Sequence, residues 1–101
     1  MKIKIQSIAF TLRKEVSDFI QNKVKKLTRF YREIISIEVS LKVDKSATRD
    51  NKVCKIRLII PGNDMLSGAQ CKSFEAATVQ AVDALERQIE RRKIRLITNR
   101  W

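Results

Sequence analysis

The segment LERQIERRKIRL, residues 85–96, places Arg87, Arg91 and Arg95 four residues apart. On an α-helix that spacing stacks like charges along one flank, and each neighbouring pair costs roughly 0.2–0.5 kcal/mol. A solvated helix gains nothing from this. The chemistry on offer is forked hydrogen bonding to phosphate oxygens, for which the planar guanidinium is well shaped. Projected on a helical wheel, Asp83, Glu86 and Glu90 fall to one side and these three arginines to the other. Arg92 projects back toward the apolar stripe and Ile94 away from it, so the amphipathic pattern ends at Ile89. This predicts that the last turns run past a sheet edge and leave Arg92 and Lys93 to reach a ligand. A second cationic set precedes it: Lys23, Lys25, Lys26, Arg29 and Arg32. Lys23 lies at the edge of a buried arc, where its stem can cover apolar surface while its ammonium emerges.

The totals agree with a polyanion partner. The 101 residues carry 22 Lys and Arg against 11 Asp and Glu, a net charge of +11. That excess favours nucleic acid first and an anionic membrane surface second. With 44% apolar and 33% charged residues, the composition is globular, and the length suits one domain spanning 1–101. No apolar run approaches the roughly 20 residues of a membrane span, and the opening MKIKIQ lacks a signal peptide's apolar stretch, so cytoplasm is the expected compartment. Histidine is absent, which removes the commonest general base and the commonest metal ligand. The two cysteines, Cys54 and Cys71, form no CxxC pair and read as small apolar strand residues in a reducing compartment. Two glycines and one proline cannot build a phosphate-cradling glycine loop. No enzyme activity, metal or cofactor is expected.

The elements that must position these side chains follow from periodicity. KIKIQSIAF opens with alternation, Ile3 and Ile5 against Lys2, Lys4 and Gln6, a half-buried strand. Leu12, Val16, Phe19, Ile20, Val24 and Leu27 recur at helical spacing and predict a helix from Thr11 to about Arg29. In IISIEVSLKV, Ile35, Ile37, Val39, Leu41 and Val43 point one way and Ser36, Glu38, Ser40 and Lys42 the other. KVCKIRLII places Cys54, Ile56, Leu58 and Ile60 inward. PGND, Pro61 to Asp64, is a turn signal; a tight turn there sets Ile60 opposite Met65 and Cys54 opposite Cys71. A fourth strand runs from Met65 to about Lys72. Ser73 then caps a final helix with Glu75 in its first turn and a buried stripe of Phe74, Thr78, Ala81, Val82, Leu85 and Ile89. The order is β-α-β-β-β-α, with the first two strands parallel across the crossover. Polar outer strand faces imply a two-layer α+β fold, a four-stranded sheet with both helices packed on one face.

These residues also carry a resemblance. FIQNKVKKLTRFY in the first helix, EVSLKVDK in the second strand and SFEAATVQAVDALERQIERRK at the end resemble the ribosome hibernation-promoting factors, also called ribosome-associated translation inhibitors, over essentially the whole chain. The last segment is similar to the family pattern of a small cap (Ser73), paired alanines (Ala76, Ala77), Asp83 with Leu85, and Arg87-Gln88-Ile89. The resemblance implies a non-enzymatic protein that binds the small ribosomal subunit and its ribosomal RNA in the channel of transfer and messenger RNA, and so inhibits translation under stress. By position, Lys23 and Lys26 match basic residues of the family's first helix, and Arg87, Arg91 and Lys93 those of its second. Arg92 stands where the family often has histidine or another basic residue. Glu75 departs from an aromatic position of many relatives. With no linker or C-terminal dimerisation domain after Trp101, the chain looks like the short form, a monomer off the ribosome. RNA contacts are accordingly expected from Lys23, Lys26, Arg29, Arg87, Arg91, Arg92, Lys93 and Arg95. A general double-stranded RNA or DNA binder is the alternative, since a sheet with helices on one face also serves there. A small enzyme using a cysteine or lysine is disfavoured by the missing histidine and the inward cysteines.

Overall fold

Alternating residues build the sheet. A computed structural model describes residues 2–98, with Phe30 and residues 93–98 described by backbone alone. Strands β1 (Lys2–Ser7), β2 (Ser36–Val43), β3 (Lys52–Ile59) and β4 (Met65–Cys71) lie side by side in that order. β1 runs parallel to β2, and the other pairs are antiparallel. Helices α1 (Lys14–Lys25), α2 (Leu27–Phe30) and α3 (Phe74–Thr98) complete the β-α-β-β-β-α plan, with the short α2 following directly on α1. Ile37, Val39 and Leu41 of β2 and Cys54, Ile56 and Leu58 of β3 form one apolar cluster with Ile20, Val24 and Leu27 of α1 and α2 and with Ala77, Ala81, Leu85 and Ile89 of α3. The opposite sheet face carries Lys4, Lys42, Lys55 and Arg57, all exposed. The fold is two-layer α+β, as the alternation predicts.

Four details differ from the sequence expectation, each for a physical reason. The first helix starts at Lys14 rather than Thr11, because Ala9 adopts a left-handed backbone (φ 65°) and the chain up to Arg13 stays non-helical. That stretch carries Phe10 onto Phe74, their rings stacked 5.0 Å apart and nearly parallel. The helix also divides at Lys26, whose amide donates to the Lys23 carbonyl at 3.3 Å while its own carbonyl accepts from Arg29 at 3.1 Å. These three-residue turns tighten the path into α2.

Ile35 is 57% exposed rather than inward. Its amide donates to the Ile59 carbonyl, but the pleat begins at Ser36, and Ile34 fills the core at that end instead. Between β3 and β4 the tight turn is replaced by a five-residue loop, residues 60–64, so Leu58 faces Met65 and Cys54 faces Ala69, while Cys71 faces Lys52. Ile60 is turned into the core, Gly62 takes φ 95°, and Asp64 binds the Arg57 guanidinium at 2.6 Å. Because the register moves by two residues, every side chain keeps its face. Both thiols therefore remain inward, as diagonal rather than direct neighbours.

Two side-chain hydrogen bonds fix the ends of these elements. On the open face, the Gln70 side-chain amide donates to the Asp44 carboxylate at 3.0 Å across β3, and Val53 at that end is buried although it lies on the outer face. The Ser73 hydroxyl accepts the Ala76 amide at 3.1 Å and caps α3 as the sequence predicts.

Ile37→Ala should destabilise the protein by roughly 2–5 kcal/mol in chemical denaturation, whereas Lys55→Gln on the open face should stay within about 0.5 kcal/mol. Ser73→Ala should cost about 1 kcal/mol through loss of the cap.

Candidate nucleic-acid interface

α1 and α2 present their cations at the edge of the helical layer because their apolar arc, Ile20, Val24 and Leu27, is fully committed to the core. Lys23 is half-buried, its Nζ 5.5 Å from the centroid of the Phe19 ring, so the stem lies on apolar surface as its position on the arc suggests. Lys25, Lys26 and Arg29 are exposed and, with Asn22 and Thr28, line a shallow hollow of about 280 Å³. The Thr28 hydroxyl donates to the Lys25 carbonyl at 2.7 Å, and the Lys25 residue is exposed.

On α3, Ala81, Leu85 and Ile89 face the sheet, and this places Arg87 and Arg91 in solvent. Arg87 Nε donates to the Asp83 carbonyl at 3.4 Å, so its nearest partner is backbone rather than carboxylate. Among the described residues the ion pairs are those of Arg57 with Glu38 and Asp64, on the open sheet face. The described cations of α1, α2 and α3 thus have no internal carboxylate partner, although Asp83, Glu86 and Glu90 lie on the same helix as Arg87 and Arg91. Lys93 and Arg95 have backbone positions in α3, but their side chains fall outside the described residues.

Arg92 does not project freely. Its guanidinium donates to the Asn63 carbonyl at 3.3 Å and lies 5.9 Å over the Tyr31 ring, tying α3 to the residue after α2 and to the β3–β4 loop. Tyr31 is 8% exposed. Burial, reinforced by its hydroxyl donating to Glu33 at 3.2 Å, pushes its phenol upward against the opposing pull of Arg92, so it stays protonated at neutral pH. Beside this contact Asn63, Asp64, Met65, Gln88, Arg91 and Arg92 enclose a cleft of about 370 Å³. Sequence reasoning missed Tyr31, Asn63 and Gln88. Gln88 could have been found, since it precedes Arg91 and Arg92 by three and four residues on one helix. Asn63 could not, because only the tertiary docking of the β3–β4 loop brings it to α3.

Other chemistry has little to work with. Cys54 is fully buried, burial holds its thiol above the usual range, and its Sγ lies 3.6 Å from the Thr78 hydroxyl. Among the described residues no three His, Cys, Asp or Glu side chains converge on a metal position, and no helix is long and apolar enough to cross a membrane. The arrangement is suited to binding extended phosphate on the helical side.

Residues 3–97 match the family model described as sigma 54 modulation protein / S30EA ribosomal protein. The chain belongs to this family. No curated protein matches it in sequence. Its fold is shared with a ribosomal subunit interface protein from Coxiella burnetii at a TM-score of 0.82 and 16% identity, over 93% of this chain and 99% of that one. It is shared also with the N-terminal domain of Thermus thermophilus Protein Y, at a TM-score of 0.76 and 23% identity, over 90% and 98% of the two chains. At such identities the likeness establishes the fold, and the family model carries the membership.

Burial should make Cys54 unreactive: in native protein, alkylation by iodoacetamide at mildly alkaline pH should be far slower there than in urea-unfolded protein, as read by mass spectrometry. Equal rates in the two states would contradict the buried position.

Proposed function

We propose that this protein is a non-enzymatic ribosome hibernation factor that binds the small ribosomal subunit through its basic helical side, occupies the channel of transfer and messenger RNA, and inhibits translation in the cytoplasm under stress. The observation that carries the reading is the set of helix cations with no carboxylate partner in the described structure, on a chain that belongs to the S30EA family. Lys23, Lys26, Arg29, Arg87, Arg91, Arg92, Lys93 and Arg95 are the proposed RNA contacts. Ribosomal RNA phosphates would relieve the repulsion among Arg87, Arg91 and Arg95 that the free helix bears. Lys23 and Arg92, each partly packed on an aromatic ring, enter with less side-chain freedom to lose than the fully exposed cations. The name of the Coxiella burnetii neighbour, a subunit interface protein, supports the same location. A stretch of basic helix alone would also attract bare duplex RNA, so specificity must come from the shape of the ribosomal channel rather than from charge.

Co-sedimentation with purified small subunits over a salt series tests this. Affinity should fall linearly in log–log form, and each lost phosphate contact should lower the slope by about 0.7–0.9. Arg87→Gln with Arg91→Gln should weaken subunit binding sharply and restore translation in a cell-free assay. Stability should be unchanged, or raised by up to about 0.5 kcal/mol as a like-charge pair is removed. Binding of the double variant equal to wild type at every salt concentration would refute the role of this flank, and equal affinity for bare duplex RNA would refute a ribosome-specific site.

A further inference from the structure

A second hollow, of about 370 Å³, opens at the start of α3, where Ser73 and Phe74 meet the β1–α1 connection. It sits roughly 20 Å along the helix from Arg87. Ala9 holds a left-handed backbone that alanine adopts reluctantly, and the Ser7 hydroxyl donates to the Phe10 carbonyl at 3.0 Å. This turn lays Phe10 on Phe74 with ring centroids 5.0 Å apart and planes 7° apart, and both rings remain partly exposed. Three cations from three different parts of the chain reach the same hollow: Arg13 before α1, Lys52 at the start of β3 and Lys72 after β4. The Lys52 ammonium lies 5.9 Å from the Phe74 centroid. Glu75 is the one carboxylate lining it, and none of the ion pairs among the described residues involves these four groups.

We propose that this hollow binds a nucleoside phosphate, its base stacked against the Phe10–Phe74 pair and its phosphate held by Arg13, Lys52 and Lys72. A planar aromatic surface beside unneutralised cations is the combination by which proteins hold unpaired nucleotides without reading their sequence. The volume lies within the range of small-ligand sites. A bare oxyanion would leave the stacked rings unused, and a neutral aromatic ligand would leave the cations unused. The ligand chemistry is common to a free mononucleotide and to an unpaired nucleotide of an RNA chain.

Titration of the ¹⁵N-labelled 101-residue chain, followed by amide NMR, tests the proposal. The probes are AMP, adenosine, inorganic phosphate and a short single-stranded oligoadenylate. AMP should shift the amides of residues 9–16 and 73–77, and adenosine and phosphate should each bind about tenfold or more weakly, since each keeps only half of the contacts. Phe10→Leu should weaken AMP roughly fivefold or more. Lys72→Gln, at an exposed position that leaves the core intact, should weaken it in a salt-dependent way. Arg87→Gln with Arg91→Gln should leave it unchanged, which separates this site from ribosome binding. Tighter binding of the oligonucleotide than of AMP identifies unpaired RNA as the source, and equal binding identifies the free nucleotide. Phosphate binding as tightly as AMP, or no localised shifts at millimolar AMP, would overturn the proposal.

Discussion

The structure depends on the burial of one face of one sheet. A four-stranded sheet whose inner face is Ile, Val, Leu and Cys must be covered, and two amphipathic helices suffice to cover it. Covering only that face commits the apolar arcs of α1, α2 and α3 inward, and the charged side chains described on those helices lie on their outer and lateral surfaces. For a chain of net charge +11, the cations must then crowd along the helix flanks and the open sheet face. Position at the surface is therefore a consequence of core formation, and electrostatic repulsion among the cations is a cost that the apolar cluster offsets.

The two surfaces handle this charge differently. On the open sheet face Arg57 is bound by Glu38 and Asp64, and Asp44 is bridged to Gln70, so polar groups there satisfy one another. On the helical side no ion pair occurs among the described residues, and Arg87 and Arg92 donate to backbone carbonyls instead. Surface ion pairs contribute little to stability, so their distribution tells more about partners than about folding. The two surfaces thus differ in that the described ion pairs all involve Arg57 of the open face, although Lys4, Lys42 and Lys55 of that face are exposed and unpaired as well.

Aromatic rings order several of the helical-side cations. Lys23 rests near Phe19, Lys52 near Phe74 and Arg92 over Tyr31. A ring restricts a long cationic side chain while leaving its charge uncompensated, which lowers the entropy lost when a phosphate is bound. Tyr31 and Arg92 add a mechanical role. They join the end of α2, the late turns of α3 and the β3–β4 loop, so the two basic helices are held at a defined spacing rather than as independent charged rods.

Much of this was legible in the sequence, because alternation and helical spacing are local properties that burial imposes directly. The strand faces, the α3 stripe from Thr78 to Ile89, the Ser73 cap and the exposure of Arg87 and Arg91 follow from residue spacing alone. The family likeness was legible in the same segments. What sequence could not provide were quantities set by long-range packing. Whether Pro61 to Asp64 closes a tight turn or a longer loop was decided by Ile60 turning into the core, a non-local interaction, together with Asp64 reaching back to Arg57 across the hairpin. Ile34 rather than Ile35 entered the core because a strand's end is defined by what it packs against. Arg92, which the end of the amphipathic pattern left free to reach a ligand, was captured by Tyr31 and Asn63 from elements remote in the chain. Periodicity determines which face a residue occupies, and only tertiary contact decides which neighbour it meets there.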